Sequence, residues 1–269
     1  MADVGTLSHK EPAPPLWTPL VSRTPRCLVS SLDQPEMDAS TIHHLGRVLR
    51  LQPGAPLELI DGSGGLVRAS WTGSARPDLE EQPTRQPPVR DPFWLAVAPP
   101  RPSRLDWLVE KAAELGVNRL LLIHTLHTAR SVKATRIERL QRKAHEALLQ
   151  CRRLHALTVV PERPLAAVLE ESARSAADLW AAEAPEDPDR VPPEEADSLS
   201  ISRTEQASPP SLPPRTPDKP LLAVIGPEGG LSTDERDLLA SHQAQRINLG
   251  SGVLRVETAA LALAARLCR

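Results

Sequence analysis

Two glycine-bearing stretches near the C-terminal end contain residues whose types and spacing could build a ligand site. The first, IGPEGGLSTDE, spans residues 225–235, and the second, LGSGVLRVETAA, spans residues 249–260. Each follows a predicted strand and leads into a predicted helix, and Ser232 and Glu235 form a capping-box pattern at the first helix start. Because glycine lets a backbone approach a ligand closely, the pair predicts two walls of one pocket made mostly of main chain.

The first stretch does not have the pattern of a phosphate loop. A Walker-type loop requires Lys and then Ser or Thr after its last glycine, whereas Leu231 follows Gly230. The dinucleotide fingerprint GxGxxG is also missing, and Glu228 would place a negative charge where a helix N-terminus meets phosphate. A purely structural turn would explain these glycines as well. Together with the second stretch, however, they favour a pocket for a neutral, flat ligand.

The elements that must position these stretches follow an α/β pattern. From Phe93 onward, short apolar runs such as FWLAVA and RLLLIHT alternate with amphipathic segments. One of these segments is predicted to be a helix with Ser103 as its N-cap and Gly116 as its terminator. Ligands of open α/β sheets bind outside the carboxyl ends of the strands, where both glycine stretches fall. We therefore expect a mostly parallel sheet with the pocket at that edge.

The rest of the chain divides by composition. Residues 25–88 combine a helical pattern with the strands LELID and LVRASW, joined by GSGG, which predicts a small β-rich barrel. Its helix is expected to bury Ile42, Leu45, Val48 and Leu49, which recur at helical spacing. Two Pro-rich segments without apolar periodicity are expected to be disordered: a tail over residues 1–24, and an acidic insertion over residues 184–219.

Charge and cysteine content narrow the class of protein. The net charge is −2, but residues 101–153 carry a net charge of +7 and residues 178–219 one of −6. Such asymmetry indicates a basic surface for a polyanion, although solvated helix faces would also explain it. The three cysteines, Cys27, Cys151 and Cys268, are far apart and predict unpaired thiols, with no metal site. Neither a membrane span nor a signal peptide is recognisable, so we expect a cytoplasmic protein.

Taken together, the two glycine stretches resemble the paired C-terminal signature of the RsmE family. These are SPOUT-class methyltransferases that make N3-methyluridine in 16S rRNA. RLDWLVEKAAELGV, HTARSV, and HHLGRVLRLQPG with LELIDGSGG resemble three further family motifs. The resemblance extends from about residue 24 to the C-terminus, apart from the acidic insertion. It implies a SPOUT-type, trefoil-knotted methyltransferase domain over residues 89–269, after an N-terminal PUA-like β-barrel domain over residues 25–88.

The resemblance also implies a cofactor, partners and site residues. The cofactor is S-adenosyl-L-methionine (SAM), the substrate is 16S rRNA within the small ribosomal subunit, and the protein is a homodimer whose sites are completed across the interface. The implied SAM-binding residues are Ile225, Gly226, Pro227, Gly229 and Gly230 on one side, and Leu249, Gly250, Val253, Leu254 and Arg255 on the other. Two positions depart from the family pattern. Ala129 stands where Glu is usual, and Val256 replaces a Thr that would contact SAM.

Methylation of uridine N3 requires loss of the N3 proton and in-line approach to the methyl donor. Arg130, in the loop after RLLLIHT, is the predicted catalytic residue, holding a uracil oxygen or an adjacent phosphate and stabilising the developing anion. An arginine on a solvated loop is the alternative interpretation. The sequence leaves the general base open among His124, His127 and Glu257.

Five arginines are expected to contact RNA phosphates: Arg26, Arg50, Arg104, Arg152 and Arg153. Each taken singly is better explained as a surface charge than as a specific contact, whereas together they could supply salt-dependent phosphate binding. Two other functions stay open at this point. A non-catalytic RNA-binding protein of the same fold would keep the basic surface without needing the pocket. A nucleotide-dependent oxidoreductase would share the sheet, although the missing fingerprint speaks against it.

Overall fold

Two β-sheets organise the protein in the computed structural model, which describes residues 24–183, 212–250 and 252–268. The first sheet belongs to the N-terminal domain. Its elements are β1 (Arg26–Leu28), α1 (Ala39–His43), a π turn (His44–Val48), β2 (Pro56–Ile60), β3 (Gly65–Ser70), β4 (Asp78–Leu79) and β5 (Thr84–Arg85). The predicted tail, up to residue 23, and residues 184–211 of the predicted insertion lie outside the described residues.

The predicted hairpin is confirmed, with β2 and β3 antiparallel and β1 added parallel to β2. Asp61 fixes the turn between β2 and β3. Its Oδ1 accepts hydrogen bonds from the amides of Ser63 and Gly65 at 2.8 and 2.9 Å, while its Oδ2 accepts one from Arg85 at 2.7 Å. A single carboxylate therefore satisfies two turn amides and joins β5 to the hairpin.

The predicted helix of this domain forms, but two of its four apolar residues are exposed rather than buried. Asp38 caps α1, accepting a hydrogen bond from the Thr41 amide at 2.7 Å. After His43 the chain enters the π turn, in which the Leu49 amide bonds to the His44 carbonyl oxygen. The wider turn rotates the following residues, so that Leu45 is buried whereas Val48 and Leu49 are 58% and 43% exposed.

The second domain is a six-stranded, wholly parallel sheet with strand order β11-β9-β10-β6-β7-β8. Its elements are β6 (Phe93–Val97), α2 (Pro102–Leu115), β7 (Arg119–His124), α3 (Ala134–Cys151), β8 (Thr158–Pro164), α4 (Leu165–Arg174), β9 (Asp178–Glu183), β10 (Leu221–Ile225), α5 (Thr233–Ser241), β11 (Gln245–Asn248) and α6 (Val256–Leu267). Helices α2, α3 and α6 cover one face, and α4 and α5 cover the other. The predicted α/β architecture is confirmed.

Two boundaries differ from the sequence prediction. Helix α2 begins after Arg101 rather than after Ser103, because Pro102 occupies the first helical position, where its missing N–H costs no hydrogen bond. Gly116 ends the helix as predicted, with a left-handed φ of 94°. The predicted disordered insertion ends earlier than residue 219, since the Thr216 amide bonds to Asp178 and residues 212–219 are described.

Main-chain hydrogen bonds join the two domains directly. The Gly64 amide donates to the Leu154 carbonyl oxygen at 3.0 Å, and the Ala156 amide donates to the Gly62 carbonyl oxygen at 2.8 Å. The β2–β3 turn of the first domain is thereby paired with the segment between α3 and β8 of the second. We call these contacts the domain junction.

Candidate active site

A cleft of about 1760 Å³ opens at the carboxyl ends of β10 and β11, where both glycine stretches begin. Ten lining residues are those that the sequence assigned to the cofactor: Ile225, Gly226, Pro227, Gly229, Gly230, Leu249, Gly250, Val253, Leu254 and Arg255. The two stretches therefore meet in space as two walls of one cavity, because β9 alone separates β10 from β11 in the sheet.

The glycines of the two walls act in different ways. A Cβ added to Gly226 would lie 2.9 Å from the Leu231 Cγ, so this glycine permits close packing inside the turn. A Cβ added to Gly230, Gly250 or Gly252 would meet nothing within 4 Å. The main chain at these three positions is therefore open to the cleft, which suits a ligand held by main-chain hydrogen bonds.

The loop between β7 and α3, residues 125–133, rests on the first wall. The Leu126 amide donates to Glu235 Oε1 at 2.7 Å, and His127 Nδ1 lies 3.0 Å from the Gly230 carbonyl oxygen. Glu235 also completes the predicted capping box with Ser232. Leu126 and His127 line the cleft, whereas the predicted catalytic Arg130, in the same loop, is exposed and is not among the lining residues.

Arg104 links the two walls. Its Nη1 lies 3.2 Å from Glu228 Oε1 of the first wall, and its Nε lies 3.3 Å from Glu257 Oε1 at the start of α6, directly after the second wall. The sequence placed Arg104 among the phosphate contacts and left Glu228 without an explanation. The structure instead pairs them inside the cleft, because α2 begins beside the carboxyl end of β10.

The charges around the cleft favour an anionic group. Its lining includes five arginines against two acids: Arg101, Arg104, Arg236, Arg246 and Arg255, with Glu228 and Asp237. The Glu257 side chain, just behind this lining, is only 7% exposed, and its Oε2 has no hydrogen-bond partner among the described residues.

The other predicted phosphate contacts are of two kinds: one arginine is exposed, and three form ion pairs or hydrogen bonds within the protein. Arg50 is exposed. The side chain of Arg26 is 8% exposed, and both it and Arg152 donate to Glu58 Oε2, at 2.8 and 2.7 Å. Arg153 donates to the last carbonyl oxygens of α2, at 2.8 and 2.9 Å. Arg26 and Arg153 therefore make contacts within the protein beside the domain junction, and phosphate binding by either stays a prediction.

Three residues were candidates for the general base, and His127 is the one of the three that lines the cleft. His124 Nδ1 lies 3.2 Å from Glu162 Oε1 on the exposed side of β7.

Burial raises the pKa of Cys27 and of Cys268 to about 11, which keeps both thiols protonated near neutral pH. Within the described ranges, no group of three His, Cys, Asp or Glu side chains could hold a metal ion.

No helix in the described part of the chain has both the length and the apolar character needed to cross a membrane.

Comparison with known proteins finds one match in each of the two domains. Residues 87–268 match the RNA methyltransferase domain, and residues 38–70 match the RNA methyltransferase PUA domain. The chain is 30% identical over 235 residues to the ribosomal RNA small subunit methyltransferase E of Mycobacterium tuberculosis, covering 83% of this chain and 82% of that protein. The Rickettsia conorii protein of that name is 27% identical over 224 residues, covering 82% and 83%.

Two solved structures share the fold. A probable rRNA-methyltransferase from Porphyromonas gingivalis has a TM-score of 0.72 at 24% identity, covering 90% of this chain and 96% of its own. The ribosomal RNA small subunit methyltransferase E from Neisseria gonorrhoeae, solved bound to S-adenosyl methionine, has a TM-score of 0.71 at 21% identity, covering 91% and 96%.

The matches to the RNA methyltransferase domain and to the RNA methyltransferase PUA domain define the chain as an RNA methyltransferase. The relatives that the chain matches over four fifths of its length narrow this class. The chain belongs to the ribosomal RNA small subunit methyltransferase E family, as its motifs predicted. This membership excludes the oxidoreductase alternative and makes the protein an enzyme rather than a non-catalytic RNA-binding module.

Proposed function

We propose that this enzyme transfers the methyl group of SAM to N3 of a uridine in the 16S rRNA of the small ribosomal subunit. The observation that carries the proposal is the cleft in which both glycine stretches meet, with the main chain open at Gly230, Gly250 and Gly252. A phosphate loop would present helix amides to a charged ligand. Around these glycines the cleft offers main chain and apolar side chains, which fit the neutral adenosine part of SAM.

The ten lining residues named above are proposed to hold SAM. When bound, SAM supplies a methyl group made electrophilic by its sulfonium. The surplus of arginines at the cleft suits the carboxylate of SAM or an RNA phosphate. Val256 lacks the hydroxyl usual at its position, so the main chain of the second wall carries the polar contacts there.

Arg130 is proposed to hold a uracil oxygen or the adjacent phosphate and to stabilise the negative charge that develops as N3 loses its proton. Its loop supports this role, because the loop tip lines the cleft at Leu126 and His127.

His127 is the favoured acceptor of the N3 proton. With its Nδ1 at the Gly230 carbonyl oxygen, the tautomer that donates this hydrogen bond leaves Nε2 unprotonated and able to accept a proton.

Several wider features remain proposals. We propose that the C-terminal segment forms a trefoil knot, that the protein acts in the cytoplasm, and that its domains span residues 25–88 and 89–269. We also propose a homodimer that completes each site. Leu126 and Val253, which are 73% and 78% exposed at the cleft, support a covering partner. The five predicted RNA contacts stay predictions, and exposure favours Arg50 among them: Arg26, Arg50, Arg104, Arg152 and Arg153.

The proposed reaction is tested by supplying SAM with a labelled methyl group to small ribosomal subunits that lack the modification. Label is expected at N3 of a uridine in 16S rRNA. Label at another atom, or no transfer at all to active subunits, would refute the proposed specificity.

The role of Arg130 is tested by Arg130→Ala. SAM binding, measured by calorimetry, is expected to stay within about twofold, while kcat falls about 100-fold through loss of charge stabilisation. Arg174→Ala, which removes an exposed arginine at the end of α4, is the matched control and should change neither quantity. Equal losses of binding and transfer in Arg130→Ala would remove Arg130 from catalysis.

A further inference from the structure

The two ends of the β7–α3 loop are joined by one carboxylate. Glu162, in β8, accepts hydrogen bonds at Oε2 from the Val132 amide at 2.7 Å and from the Ser131 hydroxyl at 3.0 Å. Its Oε1 lies 3.2 Å from Nδ1 of His124, the last residue of β7. Glu162 thus contacts the residue before the loop and two residues near the loop's end.

The tip of the loop is held separately. Glu235 and the Gly230 carbonyl oxygen fix Leu126 and His127, as described above. Within the tip, the Thr125 amide bonds to the Thr128 hydroxyl at 2.9 Å, and the Thr128 amide bonds to the Thr125 carbonyl oxygen at 3.0 Å. Residues 129 and 130 therefore lie between a tip fixed on the cleft and an end fixed by Glu162.

The burial of Glu162 argues that this contact is specific. Its side chain is only 8% exposed, and a buried carboxylate is costly unless hydrogen bonds and nearby charge compensate it. All its hydrogen-bond partners in the described residues belong to the loop or to the residue preceding it. If the side chain at this position served only to fill space, an apolar residue would do so without the desolvation cost of a carboxylate.

We propose that Glu162 is a positioning residue for methyl transfer. By holding Ser131 and Val132, it restricts the main chain next to Arg130 and so keeps the guanidinium within reach of the cleft. Glu162 itself is not among the residues that line the cleft. This inference rests on the proposed function of Arg130, because the loop has no other residue to which we assign a charge-stabilising role.

Glu162→Gln is the test variant, because the isosteric amide keeps one acceptor oxygen and the overall shape. Glu171→Gln is the control, since Glu171, in α4, is a partly buried acid that bonds to Arg119 and Arg163 and not to the loop. The first readout is trypsin cleavage after the exposed Arg130, followed by mass spectrometry of the new terminus at Ser131. Glu162→Gln should speed this cleavage at least about tenfold, whereas Glu171→Gln should not.

The second readout is a kinetic double-mutant cycle with the full-length enzyme and small subunits. Glu162→Gln is expected to lower kcat about 10- to 100-fold while the KM for SAM stays within about twofold. In an Arg130→Ala background it should lower kcat no further, because the residue that it positions is gone.

The outcomes separate the two claims. Unchanged kcat in Glu162→Gln, or a full further loss in the Arg130→Ala background, would overturn the positioning role while leaving Arg130 in place. Full activity of Arg130→Ala would refute the proposed role of Arg130 itself, and with it the inference. Faster cleavage at Arg130, lower kcat and no added loss in the double variant would together support the inference.

Discussion

Arg104 is predicted to stabilise the fold by linking the two walls of the cleft, and Arg104→Met tests this prediction. Methionine keeps much of the length and apolar volume of the arginine stem but removes both ion pairs. Glu228 would then lose its contact with α2, and the buried Glu257 carboxylate would lose its ion pair with Arg104.

The two ion pairs should contribute very differently. The Glu228 side chain is 64% exposed, so its pairing stabilises the fold by about 0–1 kcal/mol. The Glu257 side chain is 7% exposed, and breaking a buried pair costs about 3–5 kcal/mol because a buried charge is left uncompensated. Arg104 is itself 26% exposed, which lowers that cost. We therefore expect a loss of about 3 kcal/mol in the free energy of unfolding, or roughly 6–12 °C in Tm.

Urea and thermal unfolding of three variants measure this effect. Glu228→Gln is the control and should cost about 1 kcal/mol or less. Arg104→Met combined with Glu257→Gln should recover part of the loss, because the unpaired buried charge is then removed. If Arg104→Met cost no more than Glu228→Gln, or if the double variant were no more stable than Arg104→Met, the stabilisation by Arg104 would not depend on Glu257.

Two further predictions concern the hairpin and the second wall. Burial opposes ionisation of Asp61, but the amides of Ser63 and Gly65 and the Arg85 side chain outweigh it and lower its pKa from 3.8 to about 2. A carboxyl group whose pKa is lower in the folded than in the unfolded state stabilises the folded protein at pH values above the unfolded-state pKa. Asp61→Asn should therefore lower the free energy of unfolding by about 2 kcal/mol at pH 7. Urea titrations should show this difference from the unsubstituted protein vanish between pH 4 and about pH 2. A difference that persisted at pH 2 would contradict the hydrogen-bond explanation. Gly252→Val adds a side chain where nothing lies within 4 Å, so SAM affinity measured by calorimetry should fall about tenfold at unchanged Tm; unchanged affinity would remove the second wall from the SAM site.

Local patterns in the sequence predict much of the fold. The buried strands β6 and β10 are short apolar runs, and Gly116 has the residue type that ends helices in a left-handed conformation. The π turn has no such signature. The spacing of Val48 and Leu49 fits an ordinary helix. In the π turn the Leu49 amide bonds instead to the His44 carbonyl oxygen, and both side chains are exposed.

The walls of the cleft were predictable because each is a contiguous stretch that follows a strand of one sheet. The side-chain contacts that hold the walls and the neighbouring β7–α3 loop in place were not. Arg104 and Glu228 are 124 positions apart, and Ser131 and Glu162 are 31 positions apart. Their meeting depends on strand order, which residue types do not encode locally. For the same reason the sequence could not distinguish the exposed Arg50 from Arg26, whose partner Glu58 lies on the neighbouring strand.

The domain junction has a consequence for how the N-terminal domain folds. That domain is small, with a core of about ten buried side chains, and domains of roughly 60 residues are marginally stable on their own. Its β2–β3 turn is paired through main-chain hydrogen bonds with the segment that follows α3, and Glu58 accepts from arginines of both domains. The larger domain is therefore expected to stabilise the smaller one, and the two are expected to melt as a single cooperative unit.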